Sequence, residues 1–267
     1  MPPTRLSPIA NQEPPTLSVV VPARDEVDNV ARLVEEVDQA LAQGDSAGRY
    51  ELIVVNDGSR DGTQSALESL ADATPWLRIM TLERPAGQSA ALFAGIAAAR
   101  GAWTATLDAD LQNDPADLPA MLRRAIDENL DLVQGDRSAN RRDNIVRRVG
   151  SWVGRVTRRL LLNDKVSDTG CSARIMRTAL AKQLPLDRAG MHRFIPALLA
   201  MRDARIAEHP VNHRPRTAGQ TKYGLGILKR ALPGLRDTFA VRRMAKQWRA
   251  QPDGRHTPYA EQEGGRA

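Results

Sequence analysis

The sequence predicts an α/β protein with a doubly wound, mostly parallel sheet. Three observations support this fold class. Short apolar runs alternate with segments of helical periodicity, polar clusters follow the apolar runs, and 267 residues that are 42% hydrophobic suffice for one large α/β domain. Ligands of such sheets bind outside the carboxyl ends of the strands. The polar clusters are therefore candidates for a binding site.

The first half of the chain supplies five predicted strands and the helices between them. Short, apolar, β-branched runs predict strands over residues 17–22, 50–55, 77–82, 103–107 and 131–135. Apolar residues at helical spacing predict a helix over 27–42. Capping residues or proline open further helices, which are predicted over 63–73, 88–100 and 115–126.

Four polar clusters follow these strands, at 24–26 (RDE), 56–59 (NDGS), 108–112 (DADLQ) and 135–137 (GDR). Asp108, Asp110 and Gln112 alternate past a strand end, so their oxygens can face one side. Divalent cations such as Mg²⁺ or Mn²⁺ prefer oxygen ligands and usually share the ion with substrate phosphates. An isolated Asp-x-Asp is also common in solvated turns, but three further clusters on one rim favour a binding site.

Beyond residue 140 the pattern becomes basic and amphipathic. Apolar residues recur at helical spacing over 145–160 among many arginines, which predicts a helix that packs on the sheet or lies on an anionic membrane. Strands are predicted within 172–176 and 205–211, and helices near 178–183 and 194–202. A basic loop follows at 212–224. Residues 225–249 combine apolar residues with seven Lys or Arg, as membrane-surface segments do.

Charge is divided unevenly between the two halves. Residues 1–134 contain 10 Arg, no Lys and 21 Asp or Glu, a net charge of −11. Residues 135–267 contain 28 Lys or Arg and 11 Asp or Glu, a net charge of +17. This split indicates an acidic half that handles a metal ion and a basic half that meets polyanions, whether nucleic acid, an anionic membrane or phosphorylated substrates.

Composition also suggests where the folded part begins and ends. Residues 1–15 are proline-rich and residues 251–267 are polar, so both are predicted to be disordered tails. Cys171 has no second cysteine to pair with, which fits a reducing compartment. The sequence contains no signal-peptide h-region and no uncharged run of about 18 apolar residues, so we expect neither a signal peptide nor a transmembrane helix.

Three motifs, taken in order, resemble those of a known family. Residues 20–26 (VVPARDE), 54–63 (VVNDGSRDGT) and 107–115 (LDADLQNDP) resemble the signatures of family 2 glycosyltransferases, which have the GT-A fold of nucleotide-diphospho-sugar transferases. The DADLQ form, together with 135–137 and GQTKYG at 219–224, is similar to the polyprenyl-phosphate branch typified by dolichyl-phosphate mannose synthase. The resemblance covers roughly residues 17–225.

The resemblance implies a domain organisation and a set of site residues. It implies a catalytic domain over 16–224, with a donor half to about 134 and an acceptor half after it, and a basic amphipathic membrane-surface segment over 225–250. Donor nucleotide binding is assigned to Pro22, Arg24, Glu26, Asp57 and Asp108, and the metal, Mg²⁺ or Mn²⁺, to Asp108, Asp110 and Gln112. Acceptor phosphate binding is assigned to Arg137, Arg147 and Ser151, and catalysis to Asp110, Asp168, Arg216 and Lys222.

The implied reaction is metal-dependent, inverting transfer of a sugar from a nucleoside diphosphate sugar to a polyprenyl phosphate. Similar proteins use glucose, mannose, galacturonic acid or aminoarabinose-type donors. The acceptor phosphate has a second pKa of about 6 and is largely a dianion at neutral pH, so it needs positioning cations rather than a base. Further implied partners are an anionic membrane surface and an integral-membrane protein, and we expect a cytoplasmic enzyme attached peripherally to the inner face of the membrane.

Two departures from the family pattern bear on these assignments. Many members have two acids where this chain has Asn56 and Asp57, and many bacterial members continue into transmembrane helices. Two other functions also stay open. A transferase acting on a glycan hydroxyl would need a carboxylate base, for which Asp168 is the candidate. A basic nucleic-acid-binding module is more distant, because aromatic residues are only 4% and no nucleic-acid motif is present.

Overall fold

The computed structural model describes residues 5–6, 14–43, 49–138, 162, 166–215, 238 and 240–243. The strands within these residues are β1 (Arg5–Leu6), β2 (Leu17–Ala23), β3 (Tyr50–Asn56), β4 (Leu77–Thr81), β5 (Trp103–Thr106), β6 (Leu132–Asp136), β7 (Arg174–Arg177) and β8 (Ile206–Pro210). The α-helices are α1 (Val27–Leu41), α2 (Thr63–Ala71), α3 (Gln88–Ala98), α4 (Leu118–Asp127), α5 (Thr178–Ala181) and α6 (Ile195–Ala200). Short 3₁₀ turns precede α4 and α6 at Pro115–Asp117 and Met191–Phe194.

The described strands form one mixed sheet in the order β1-β4-β3-β2-β5-β7-β6-β8. β4, β3, β2 and β5 are mutually parallel, and β6 is parallel to β8. This confirms a doubly wound, mostly parallel α/β sheet. β7 departs from it, because it inserts antiparallel between β5 and β6. The seven predicted strands all lie within two residues of the observed ones at either end.

Alternate residues of the central strands point into two apolar layers on opposite faces of the sheet. Val19 and Val21 of β2 face the layer formed with α1, α2 and α4, whereas Val20 faces the layer formed with α3, α5 and α6. α3 packs so closely that a Cβ at Gly95 would lie 2.4 Å from Cγ1 of Val20. Glycine is therefore required where this helix crosses the sheet.

The chain ends contribute little to the described structure. Arg5 and Leu6, within the predicted N-terminal tail, pair with Thr81 and Met80 of β4. Of the predicted membrane-surface segment, residues 238 and 240–243 are described, and the side chain of Val241 is fully buried in the layer that contains α3. None of the described helices combines the length and apolarity needed to span a membrane. The predicted C-terminal amphipathic helices otherwise lie outside the described residues.

Candidate active site

The loops after β2 and β3 are joined by hydrogen bonds into one wall of the rim. The Asp25 amide donates to Oγ of Ser59 at 2.9 Å, and the Glu26 amide donates to Oγ1 of Thr63 at 2.9 Å. In return, Oδ1 of Asp25 accepts from the Arg60 amide at 2.8 Å. Two of the four predicted polar clusters therefore meet, as expected for the carboxyl ends of adjacent parallel strands.

Three residues predicted to bind the donor nucleotide lie on this wall. Pro22 is part of β2, and Arg24 follows it with an exposed side chain. Glu26 is partly buried, and its carboxylate accepts from Nδ2 of Asn29 at 2.6 Å. Glu26 thus lies at the start of α1, where it is the N-cap residue.

Asp57 holds the loop that leads into α3. Its carboxylate is 4% exposed and accepts from the Ala86 amide at 2.6 Å and from the Gly87 amide at 2.9 Å. Gly58 adopts a φ of +63° and lies against Pro85, where a Cβ would come within 2.8 Å of the proline ring. Asp57 therefore positions the 85–87 loop, a role that the sequence did not indicate. Its contact with the nucleotide base stays a prediction.

Asp108 and Asp110 lie together beyond the end of β5. Burial raises the pKa of Asp108, and the neighbouring charge of Asp110 raises it further. A hydrogen bond with Ser172 and the positive charges of Arg174 and Arg137 lower it, but the net shift remains upward. Mutual repulsion between two partly buried carboxylates is the electrostatic state that a bound cation relieves.

Two glutamines complete the surroundings of this carboxylate pair. Nε2 of Gln88, the first residue of α3, donates to Oδ1 of Asp108 at 2.7 Å. The backbone amide of Gln112 donates to Oδ1 of Asp110 at 3.2 Å, so Gln112 is tied to the pair through its main chain. Gln88 was not among the predicted site residues. The signal that could have found it is its place in the first turn of a helix that begins at the same rim.

Arg137 and Asp168, predicted as separate site residues, form an ion pair with each other. Nε of Arg137 donates to Oδ2 of Asp168 at 2.7 Å, and Nη2 donates to Oδ1 at 3.0 Å. Burial alone would lower the pKa of Arg137, but its hydrogen bonds and ion pair with Asp168 raise it. Both oxygens of Asp168 therefore accept charge-assisted hydrogen bonds, and the Gly170 amide adds a further one at 3.2 Å.

A second arginine of the site, Arg174, was not predicted. It is 2% exposed on β7, where Nε donates to Oε1 of Gln134 at 2.7 Å and Nη2 donates to the Thr169 carbonyl at 2.9 Å. Burial lowers the pKa of Arg174, while the charges of Asp108 and Asp168 oppose that effect. Arg174 could have been found because it and Gln134 are polar residues within largely apolar predicted strands.

His192 and Ser89 form a buried pair next to this region. Oγ of Ser89 lies 2.8 Å from Nδ1 of His192 and also accepts from the His192 amide at 3.2 Å. Because Oγ already accepts that hydrogen bond, its own proton is available for Nδ1. Burial lowers the pKa of His192 to about 3, and the charges of Arg174 and Arg193 contribute. The imidazole is therefore neutral at physiological pH.

The structure brings residues of all four predicted clusters to one rim, but not every predicted residue can be placed. Asp108, Asp110, Arg137 and Asp168 form a single charged cluster, and Asp57 lies beside the loop that opens α3. The remaining predicted site residues lie outside the described part of the chain: Arg147, Ser151, Arg216 and Lys222. Their assignments stay predictions.

Comparison with known proteins identifies the family. The model of glycosyl transferase family 2 matches residues 18–184, which include all the described motifs of the rim up to Arg174. The chain belongs to glycosyl transferase family 2. Within this family it is 41% identical to the dodecaprenyl-phosphate galacturonate synthase of Rhizobium johnstonii over 235 residues, which cover 83% of this chain and 67% of the relative.

Other family 2 relatives carry related names. The undecaprenyl-phosphate 4-deoxy-4-formamido-L-arabinose transferase of Edwardsiella ictaluri is 34% identical over 212 residues, or 78% of this chain and 63% of the relative. The chain therefore spans about two thirds of the length of these curated relatives. Its family membership rests on the shared part.

Solved structures confirm the GT-A fold. Glucosyl-3-phosphoglycerate synthase from Mycobacterium tuberculosis, in complex with Mn²⁺, UDP and glucosyl-3-phosphoglycerate, has a TM-score of 0.61 at 22% identity, covering 85% of this chain and 80% of that one. A mannosyltransferase from Pyrobaculum calidifontis, in complex with GDP-Man and Mn²⁺, has a TM-score of 0.54 at 18% identity, covering 76% and 57%.

Proposed function

We propose that this family 2 transferase moves a sugar from a nucleoside diphosphate sugar to a polyprenyl phosphate, with inversion at the anomeric carbon. An acceptor phosphate oxygen forms the new bond to the anomeric carbon, and the bond to the departing diphosphate breaks. The main structural support for this function is that the Asp108–Asp110 pair lies beside Arg137 and Arg174 on one rim of the sheet. Relatives named for dodecaprenyl-phosphate and undecaprenyl-phosphate support this choice of acceptor.

The carboxylate pair suits a divalent cation. Mg²⁺ is usually bound by one or two carboxylates together with substrate phosphates, and the repulsion that raises the pKa of Asp108 is what a cation would remove. Asp108 and Asp110 would hold the ion, with Gln112 as the third predicted ligand. A bound divalent ion stabilises negative charge on a departing diphosphate. Both fold neighbours described above contain Mn²⁺, which supports a divalent cofactor, Mg²⁺ or Mn²⁺.

The pairing of Asp168 with Arg137 favours a phosphate acceptor over a hydroxyl. A hydroxyl acceptor needs a base, and both oxygens of Asp168 are occupied by the guanidinium at 2.7 and 3.0 Å. A phosphate dianion needs no base but does need positive charge. The pair uses two of the five N–H donors of Arg137, so we assign the guanidinium to binding the acceptor phosphate. Membership in an enzyme family argues against the nucleic-acid-binding module.

We also propose that the enzyme works at an anionic membrane surface. The net charge of +17 over residues 135–267 supports this, because each cation near such a surface is worth about 1 kcal/mol. Arg242 and Arg243 are exposed beside the buried Val241, an arrangement that leaves cations available to lipid head groups. An integral-membrane protein, implied by the resemblance to the polyprenyl-phosphate branch, is a further proposed partner.

One vesicle experiment tests acceptor, donor and membrane together. Undecaprenyl phosphate is incorporated into anionic liposomes, and nucleoside diphosphate sugars are supplied with Mn²⁺, with Mg²⁺ or with EDTA. The panel begins with galacturonate and 4-deoxy-4-formamido-L-arabinose donors and includes glucose and mannose. We expect lipid-linked sugar with one donor in the presence of metal, and co-flotation of the protein with the vesicles at moderate salt.

The controls separate the alternatives. Liposomes without polyprenyl phosphate, with a soluble glycan added, test the hydroxyl acceptor. Transfer to the glycan alone would contradict the proposed acceptor, and full activity in EDTA would contradict the metal. Protein that stays wholly in the soluble fraction would contradict membrane binding while leaving the proposed reaction intact.

A further inference from the structure

The loop that follows the carboxylate pair has a backbone conformation that needs support. Leu111 adopts a φ of 59°, which is unusual for a residue other than glycine, and its side chain is 2% exposed. Asn113 anchors the far side of this loop, because its Nδ2 donates to Oγ of Ser172 at 2.6 Å. Asp110 lies directly before this turn, so its position depends on what holds the loop in place.

The chain segment after β8 runs alongside this loop. The Asn212 amide donates to Oδ2 of Asp117 at 2.8 Å, and His213 forms an antiparallel bridge with Asn113. The Arg214 amide then donates to the Gln112 carbonyl at 2.8 Å. Residues 212–214 thus form a short backbone clamp on the loop. The clamp connects residues that are about 100 positions apart in the sequence.

The side chain of Arg214 extends the clamp to a third element. Nη2 pairs with Oδ1 of Asp114 on the loop at 2.7 Å, and Nη1 pairs with Oε2 of Glu36 on α1 at 2.7 Å. Asp114 also caps the following 3₁₀ turn by accepting from the Ala116 amide. The guanidinium therefore bridges two largely buried carboxylates: the side chain of Asp114 is 12% exposed and that of Glu36 is 15% exposed.

We propose that Arg214 is a positioning residue that sets the conformation of the metal-binding loop. This inference rests on the proposed divalent-ion site at Asp108 and Asp110. Arg214 joins α1 to the loop through Glu36 and Asp114 and fixes the main chain at Gln112. Without the guanidinium, Glu36 and Asp114 lose the cation that bridges them, so the loop keeps its Asn113–Ser172 hydrogen bond and its backbone contacts but loses this ion-pair link to α1.

The test measures Mn²⁺ binding without turnover. The fraction of free Mn²⁺ is followed by electron paramagnetic resonance while the metal is titrated into protein and a nucleoside diphosphate. We expect Arg214→Gln to bind Mn²⁺ about tenfold more weakly than the wild type, the low end of effects seen for residues that orient metal ligands. Arg214→Lys should be intermediate, because one ammonium cannot form both ends of the bridge.

Arg32→Gln is the matched control. Arg32 pairs with the same Glu36 at 2.8 Å, but from one turn earlier in α1. Its removal should leave Mn²⁺ affinity within about twofold of wild type, because exposed pairs of this kind contribute little. If Arg214 only stabilised the fold, the melting temperature of Arg214→Gln would fall while the folded protein kept wild-type Mn²⁺ affinity.

Each outcome bears on a different claim. Wild-type Mn²⁺ affinity in folded Arg214→Gln and Arg214→Lys would overturn the positioning role and leave the proposed metal site standing. Absence of Mn²⁺ binding in the wild type would overturn the proposed metal site itself, and the Arg214 inference with it. Should Arg214→Gln fail to fold, Glu36→Gln removes the same bridge from the α1 side, and its unchanged affinity would equally overturn the inference.

Discussion

Two acidic sites, Asp168 and the Asp108–Asp110 pair, lie on the same rim of the sheet and differ in how their negative charge is balanced. Asp168 is buried against Arg137, with two charge-assisted hydrogen bonds at 2.7 and 3.0 Å. At Asp108, by contrast, burial together with the nearby charge of Asp110 raises the pKa of the carboxyl group. Asp168 has an arginine partner in a direct ion pair, whereas at Asp108 burial and the repulsion from Asp110 outweigh the neighbouring positive charges.

The contrast separates a carboxylate whose charge is balanced by an arginine of the protein from a pair whose charge a bound cation would balance. A buried carboxylate with its own arginine stabilises the local structure, because removing either partner leaves an uncompensated charge. Two carboxylates that repel each other are stabilised when a cation binds between them. The first two predictions use this difference. The change at Asp110 should affect activity more than stability, and the change at Asp168 should strongly affect stability.

The largest expected effect is on activity at Asp110. Asp110→Asn keeps the shape of the side chain but removes the second charge of the pair, so turnover should fall by about 10³-fold or more. The free energy of unfolding without divalent ions should stay equal or increase, because the repulsion with Asp108 disappears. Transfer assays and urea denaturation in EDTA measure the two quantities. The exposed Asp72→Asn serves as the control and should change neither.

The largest expected effect on stability is at Asp168. Asp168→Asn leaves the partly buried guanidinium of Arg137 without its partner and should lower the free energy of unfolding by about 3 kcal/mol, the low end for buried pairs. The double variant with Arg137→Met removes both charges and should recover much of that loss. Urea denaturation at pH 7 gives both values. A single variant as stable as wild type would show that the pair contributes nothing, and the contrast between the two acidic sites would fail.

The sequence predicted the framework of this rim well. Apolar runs placed the strands, and the rule that ligands bind beyond the carboxyl ends of parallel strands brought residues 24–26, 56–59 and 108–112 together. The position of β7 was not predictable in the same way, because an antiparallel insertion between β5 and β6 depends on strand pairing rather than on local pattern.

The side-chain pairings within the site could not be predicted from local sequence patterns either, because they join residues that are far apart in the sequence. Arg137 and Asp168 are 31 positions apart, and each resembled an independent site residue until the fold brought them together. Gln88 and Asp108 are 20 positions apart and belong to different elements. Motif spacing identifies which residues reach the rim, whereas the charge balance among them depends on contacts that only the folded chain forms.

The smallest expected effect concerns His192, whose protonation is controlled mainly by burial and further by the arginines of the site. Burial and the charges of Arg174 and Arg193 lower its pKa to about 3, against an ordinary value near 6.5. Between these two values, His192 is protonated in the unfolded chain but neutral in the folded protein. The stability due to neutral His192 is present above pH 6.5 and is lost as pH falls from there towards 3, with a slope approaching about 1.4 kcal/mol per pH unit.

His192→Asn tests this sign. Asn keeps an oxygen that can accept from Ser89, the contact that Nδ1 of His192 makes at 2.8 Å, but it does not titrate. As pH falls from 7 to 5, the wild type should therefore lose more free energy of unfolding than the variant does. Other acids contribute equally to both proteins and cancel in the difference. A pH-independent difference would mean that His192 charges freely in the folded state, and that neither burial nor the charges of Arg174 and Arg193 lower its pKa.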